Sequence, residues 1–373
     1  MKSQKEESTR KNMKLFFIIT GIGLGHTMRE AAIIKEIKSQ QPTTEIVIAG
    51  YKNSYRYFKG KYPVIKIHGH KFPEGSFSVS RVKSLIMNLP YPFCAQLDKA
   101  KLVKLIQEYG PDRIIVDIQP VGIEAARACN VKSIAIYNLD INEWQEFNKT
   151  LSKVNRIQSN IIFSFVKKAY SLADKVIIPT IHKPKSYGRY SLINPILRLM
   201  PYELPSEKEL MKKLQLTRKP ILVMLGGSKF GFKIADKIVK LAKGFDEHFI
   251  FFGYKELNEK NITSFRFKEN FLEYLKTAKA CILLSGHTAL SEVVVYKKPA
   301  LVFPFRNYVE HYINVSSLRS YIIPRYINSN IEEEQLSEYI KELLDKAPEL
   351  EKALQKLTFP VNGAKEAAEI ILR

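Results

Sequence analysis

Apolar residues in this chain come in short unbroken runs rather than in alternation with polar ones. "KLFFIIT" (14–20), "EIVIAG" (45–50), "RIIVDI" (113–118), "KSIAIYN" (132–138) and "KVIIPT" (175–180) are rich in β-branched and aromatic residues. That is the pattern of parallel strands covered on both faces. Amphipathic stretches at 26–40, 98–109 and 121–129 lie between them and predict helices. A β-α-β-α progression of this kind implies an α/β fold with a doubly wound sheet. The rhythm breaks over 181–218, where "HKPKSYGRY" and "NPILRLMPYELPSEKEL" are proline-rich and aperiodic. It restarts at "KPILVMLGGSKFG" (219–231) and continues through "HFIFFGY" (248–254), "ACILLSG" (280–286) and "PALVFPF" (299–305).

The expected organisation is a flexible tail at 1–12, a first Rossmann-like domain at 13–180 and a connection at 181–218. A second domain follows at 219–350, and a C-terminal helix at 351–373. Two such halves facing one another leave a cleft between them.

Composition narrows the class. A length of 373 residues suits two cores better than one. Three cysteines, Cys94, Cys129 and Cys281, stand far apart without metal-type spacing, as expected of thiols in a reducing compartment. No apolar run reaches the roughly 18 to 20 residues of a membrane crossing. The start, "MKSQKEESTRKNMK", has no apolar secretion core. The expected location is the cytoplasm, peripherally on the cytosolic face of the membrane.

The formal net charge is +22, and it is unevenly spread. Residues 219–373 hold 23 basic against 19 acidic side chains, so 18 of the excess positive charges fall in residues 1–218. A field of that sign attracts anionic lipid, nucleic acid or a phosphorylated substrate. Neither an aromatic RNA-binding motif nor a helix-turn-helix pattern accompanies it, which argues against a nucleic-acid binder.

The chemistry-bearing motifs sit where predicted strands end. "GIGLGH" places Gly21, Gly23 and Gly25 directly before His26, at the handover from the first strand to the first helix. Glycines there allow a tight turn and close approach of backbone N–H groups to a ligand. The spacing differs from G-x-G-x-x-G, and the second strand ends "IAGYKN" without a carboxylate, which argues against NAD. His26 at a helix start is favoured as a neutral proton acceptor. Asp117, ending "RIIVD", is a candidate to orient it.

In the second half, Gly226, Gly227 and Ser228 form a loop suited to phosphate oxygens. Ser285-Gly286-His287-Thr288 opens a helix whose amides would face a diphosphate, with Glu292 one turn on to take ribose hydroxyls. Glu310 and His311 follow the next strand as hydrogen-bonding groups for a sugar ring. His68 and His70 lie two apart without a third ligand, there is no Asp-x-Asp motif, and no metal or other cofactor is expected.

These motifs resemble the family 28 glycosyltransferases of GT-B fold. That family includes bacterial peptidoglycan N-acetylglucosaminyltransferases, enzymes adding the second N-acetylglucosamine to dolichol diphosphate, and diacylglycerol glycosyltransferases. "GIGLGH" is similar to the family's glycine loop ending in Gly-His. "LVMLGGSKFGFKIAD" resembles its GGSxG loop, "FKENFLEYLKTAKACILLSGHTALSE" its run from uracil contact to ribose-binding glutamate, and "NPILR" (194–198) the stretch before its second domain.

The resemblance implies that Phe267 and Lys268 frame the uracil. It places Gly227, Ser228, His287 and Thr288 on the diphosphate, Glu292 on the ribose, and Glu310, His311 and Asn314 near the donor sugar. Gly23 and Gly25 would line the acceptor loop. The chain departs from the peptidoglycan enzymes at Glu310-His311, where they carry two glutamines.

The implied activity is an inverting, metal-independent transfer of a hexose, N-acetylglucosamine in the first instance, from a UDP-sugar to a lipid-linked acceptor. His26 would be the base and Asp117 its partner, and the roughly 90-residue separation resembles that of plant glycosyltransferase His-Asp pairs. Apolar and basic residues interleave in "SVSRVKSLIMNLPYPF" (78–93) and in 142–170, the latter with Trp144, Phe163 and Phe165. Such surfaces suit an anionic membrane. Transfer to diacylglycerol or a soluble acceptor remains open, as does a UDP-N-acetylglucosamine 2-epimerase, which would need no acceptor.

Overall fold

The structure, a computed structural model, describes residues 12–69, 91–181, 186–225, 231–305, 309–328 and 330–373. Gly227, Ser228 and His70 therefore lie outside the described residues, as does most of the basic-apolar stretch at 78–93.

The first sheet has seven parallel strands: β1 (Lys14–Ile19), β2 (Glu45–Gly50), β3 (Val64–Lys66), β4 (Arg113–Asp117), β5 (Lys132–Ile136), β6 (Lys175–Pro179) and β7 (Tyr190–Ile193). They run in the order β3-β2-β1-β4-β5-β6-β7. Its helices are α1 (Gly25–Gln40), α2 (Lys52–Phe58), α3 (Tyr91–Tyr109), α4 (Pro120–Ala128), α5 (Ile141–Lys149) and α6 (Lys153–Leu172).

β1 is central because "LFFII" is wholly buried and packs on both sides. Strand order reverses between β1 and β4, so the crevice beyond their carboxyl ends is where a ligand site is expected. β7 belongs to this sheet, although its sequence lies within the stretch read as connection.

The second sheet comprises β8 (Ile221–Met224), β9 (Phe249–Phe252), β10 (Leu257–Glu259), β11 (Ile262–Phe265), β12 (Ala280–Leu284), β13 (Ala300–Phe303) and β14 (Ile323–Pro324). The order is β10-β11-β9-β8-β12-β13-β14, parallel except for the β10–β11 hairpin. It is flanked by α7 (Glu207–Lys213), α8 (Phe232–Ala242), α9 (Phe271–Thr277), α10 (His287–Val295), α11 (Val309–Ser316) and α12 (Glu333–Gln355). Its reversal falls between β8 and β12.

The chain crosses between the sheets twice. After β7 it passes through Asn194-Pro195. After α12, which packs Leu336, Ile340 and Leu343 on the second core, it returns as α13 (Gly363–Leu372). Ala364, Ala367, Ala368 and Ile371 of α13 join Ile33 and Ile37 of α1 on the first core. The two crossings are bolted together. The Asn362 side chain accepts from the Leu197 amide at 3.1 Å and donates to its carbonyl at 2.8 Å, while Glu366 takes both the amide and side chain of Asn194. Gly363 is required there, since a β-carbon would lie 1.9 Å from the Asn194 carbonyl oxygen.

Trp144 and Phe163 do not form a membrane-facing surface. Trp144 is buried with Leu139 and Ile313, and Phe163 packs edge-on against it at 5.5 Å. Their large apolar area is used to join the first domain to α11. Among the described residues, no helix is long and apolar enough to cross a membrane.

Candidate active site

The carboxyl ends of both sheets face a cleft of about 380 Å³. The β1–α1 turn supplies one wall. Gly23 there has φ +69°, open to glycine without strain, and Gly21 lies against the Tyr51 carbonyl with no room for a β-carbon. The turn thereby brings the N-terminus of α1 to the cleft beside the N-terminus of α10. Gly25 approaches Thr288 so closely that a β-carbon would stand 2.9 Å from the Thr288 hydroxyl oxygen. Two helix starts, each with unpaired amides and a positive dipole end, converge on one space, the arrangement that holds a polyanion.

His26, in the first turn of α1, lines the cleft. Its Nδ1 lies 3.0 Å from Oδ1 of Asp117, which is fully buried at the end of β4. The β1–β4 pairing sets Ile19 opposite Asp117 and so fixes this meeting. Ile118, directly after Asp117, has φ +47°. A β-branched residue in that region is strained, and the strain is held where the carboxylate is aimed.

Arg29, one turn along α1, is also buried and places Nη2 2.8 Å from Asp117 Oδ2. Burial would raise the Asp117 carboxyl, but Arg29, then His26, outweigh it and hold the group below the usual carboxylate range. Glu30, beside Asp117 and 3.5 Å from Arg29 Nε, has the opposite fate. Burial and the neighbouring carboxylate push it well above its ordinary value, so of the two carboxyls Asp117 is the one whose charge the site favours.

Nδ1 of His26 is also 3.1 Å from Arg29 Nη2. It cannot take a hydrogen from Arg29 and give one to Asp117 at once. The carboxylate is the stronger partner, so the neutral ring carries its proton on Nδ1, leaving Nε2 as a proton acceptor.

The opposite wall comes from the second domain. His287 lines the cleft, but its ring is engaged elsewhere. It bonds the Pro179 carbonyl at the end of β6, and Nδ1 stands 3.5 Å from Ser291 Oγ. What His287 offers an anion is its backbone amide at the start of α10. Burial lowers its ring to about 4 and keeps it neutral.

Glu292 is buried one turn further, 3.7 Å from Arg198 Nη2; burial raises its carboxyl and Arg198 opposes the rise. Phe267, half exposed, and Lys268, whose ammonium lies 4.6 Å from the Phe265 ring centre, form the far end with Phe252 and Arg266.

Glu310 accepts from Asn138 Nδ2 at 3.1 Å, a bond that spans the two domains. His311 accepts the Phe305 amide on Nδ1 at 3.0 Å, which puts its proton on Nε2; burial lowers it to about 4.

The cleft thus brings together Gly23, Gly25, His26, Phe267, Lys268, His287, Thr288, Glu292, Glu310 and His311, with Asp117 behind His26. Asn314 is a correction. It is buried, does not line the cleft, and donates Nδ2 to the Ser285 carbonyl at 2.9 Å, so it shapes the turn before α10 instead of meeting a sugar. Sequence reasoning missed Arg29, Asn138 and Arg198. The one legible signal was Arg198 closing "NPILR"; Arg29 and Asn138 acquire meaning only once β1, β4 and β5 lie side by side.

Two Rossmann-like domains with such a cleft define the GT-B glycosyltransferase class. Residues 13–344 match the family described as Glycosyl transferase family 1, and the chain belongs to it. An uncharacterized glycosyltransferase of Methanosarcina mazei is 26% identical over 382 residues, covering 96% of this chain and 98% of its own. The UDP-N-acetylglucosamine–N-acetylmuramyl-(pentapeptide) pyrophosphoryl-undecaprenol N-acetylglucosamine transferase of Thermosipho africanus is 25% identical over 304 residues, 78% and 79% of the two chains. Among solved structures, MurG of Acinetobacter baumannii superposes with a TM-score of 0.61 at 14% identity, covering 97% of this chain and 99% of that one. The family is thus described as family 1 where the motifs resemble family 28, while an enzyme named as an N-acetylglucosamine transferase stands among the relatives.

Proposed function

We propose that this glycosyltransferase moves N-acetylglucosamine from its UDP conjugate to a lipid-linked acceptor, with inversion at the anomeric carbon. The observation that carries the reading is the His26–Asp117 pair facing the α10 N-terminus across one cleft. Nε2 of His26 removes the proton of an acceptor hydroxyl. The oxygen bonds to the anomeric carbon as the bond to the UDP oxygen breaks, and the electron pair leaves on the diphosphate. Amides at the start of α10 take up that charge, so the chemistry needs no divalent metal in this scheme.

Glu292, held by Arg198, accepts ribose hydroxyls, and Phe267 and Lys268 frame the uracil. Gly227 and Ser228 are assigned to the diphosphate on sequence alone. Glu310 and the Nε2–H of His311 meet the sugar. The Thermosipho relative, by its name, takes UDP-N-acetylglucosamine to a polyprenyl-linked acceptor, which supports the same donor and acceptor class here. A membrane-facing acceptor side is supported by the excess positive charge of residues 1–218 and by exposed Phe93, Leu97 and Ile157. The site would then work peripherally on the cytosolic face.

The test is incubation of the protein with a panel of UDP-sugars and a membrane lipid extract. The expected result is UDP release with UDP-N-acetylglucosamine that depends on lipid and yields a glycolipid. Conversion of the donor with no acceptor present would instead show an epimerase.

A further inference from the structure

Arg29 is the largest fully buried side chain of the described residues, and nothing in the proposed chemistry requires a cation there. It does not line the cleft. Its fork is divided instead: Nη2 meets Asp117 Oδ2 at 2.8 Å, and Nη1 donates to the Asn138 side-chain oxygen. Asn138 in turn donates to Glu310 at 3.1 Å in the other domain. We propose that Arg29 is a positioning residue for sugar transfer, one guanidinium holding the carboxylate that orients His26 and, through Asn138, tying that pair to Glu310 across the cleft.

The proposal rests on the reading of His26 as the base. It explains why a guanidinium stands where an apolar residue would pack. A planar fork meets two acceptors at fixed angles, which one ammonium cannot do. The guanidinium itself lies among Asp117, Glu30 and, from the second domain, Glu310, so it is held from both sides of the cleft.

Two variants test this, each read by UDP calorimetry and by UDP release from UDP-N-acetylglucosamine with membrane lipid extract. In Arg29→Gln kcat falls about 10²-fold, as for a misplaced catalytic group, while UDP affinity stays within threefold. Arg29→Lys keeps the charge, yet kcat falls because Asp117 and Asn138 can no longer both be held. A folded Arg29→Gln that keeps wild-type kcat, or that loses UDP affinity in step with kcat, overturns the proposal. So does wild-type kcat in Arg29→Lys, which decides the matter should Arg29→Gln fail to fold. A wild type that releases no UDP overturns the transferase reading and the proposal with it, whereas an active wild type with active variants overturns the proposal alone.

Discussion

Gly25 and Thr288 touch across the cleft, one at the start of α1 and the other at the start of α10. A β-carbon on Gly25 would stand 2.9 Å from the Thr288 hydroxyl oxygen and 3.2 Å from its β-carbon. The glycine therefore serves the junction of two domains, since only a residue without a side chain lets the helix starts approach so nearly. Gly25→Ala is expected to push α10 away from His26. kcat falls about tenfold or more, as expected when reacting groups are displaced. In a Thr288→Gly background the same change costs much less. A double-mutant cycle on kcat checks this, and additive losses would show that the contact is not the cause.

The His26–Asp117 bond makes a second prediction. His26→Ala removes the proton acceptor and is expected to lower turnover by about 10²- to 10⁴-fold. UDP affinity should change little, because the proposed nucleotide contacts lie on the other wall. Asp117→Asn leaves the shape but can donate to Nδ1, turning the ring so that Nε2 carries the proton; turnover falls comparably. Single-turnover kinetics with parallel UDP titrations check both. Equal losses of binding and turnover would make His26 a binding residue.

The sequence displays much of this arrangement and conceals a definite part of it. β2 occupies the six residues of "EIVIAG" because an apolar run bounded by turn residues has few other uses. His26 stood out because glycines and a histidine at a strand end form a local pattern. Arg29 carried no such mark: its partners Asp117 and Asn138 lie 88 and 109 positions away, and only the register of β1, β4 and β5 assembles them. α13 is expected from the sequence, but its docking was equally hidden, since Ala364, Ala367 and Ala368 show an apolar face but not which core it fits. Trp144 misled for the reverse reason. An aromatic among lysines looks like a membrane anchor until Ile313 covers it.

Glu292 and Arg198 give a third prediction. Glu292→Ala should weaken UDP binding by about 1–3 kcal/mol, the scale of a lost hydrogen bond to a charged group. Arg198→Ala acts indirectly. Without the cation, burial raises the Glu292 carboxyl further, so the group protonates at a higher pH and loses its capacity to accept hydroxyl protons. As the solution is acidified, UDP affinity in that variant is expected to decline at a higher pH than in the wild type. Calorimetry at several pH values separates the two, and parallel profiles would remove Arg198 from this role.

The last prediction concerns acid stability. His287 and His311 are buried and held neutral, with ring values lowered to about 4 from an ordinary 6.5. Between those values the unfolded chain takes up protons that the folded chain refuses. Stability is therefore complete above pH 7 and is lost as the pH falls towards 4, by up to about 3 kcal/mol for each ring. His311→Asn places an oxygen where Nδ1 accepts the Phe305 amide and has nothing to protonate. Its stability at pH 7.5 should drop modestly, and its decline between pH 6.5 and 4.5 should be shallower than that of the wild type by about one proton. Urea unfolding at four pH values in this range measures the slope. A wild-type slope in the variant would mean that His311 takes up its proton in the folded protein, and that its burial does not exclude charge.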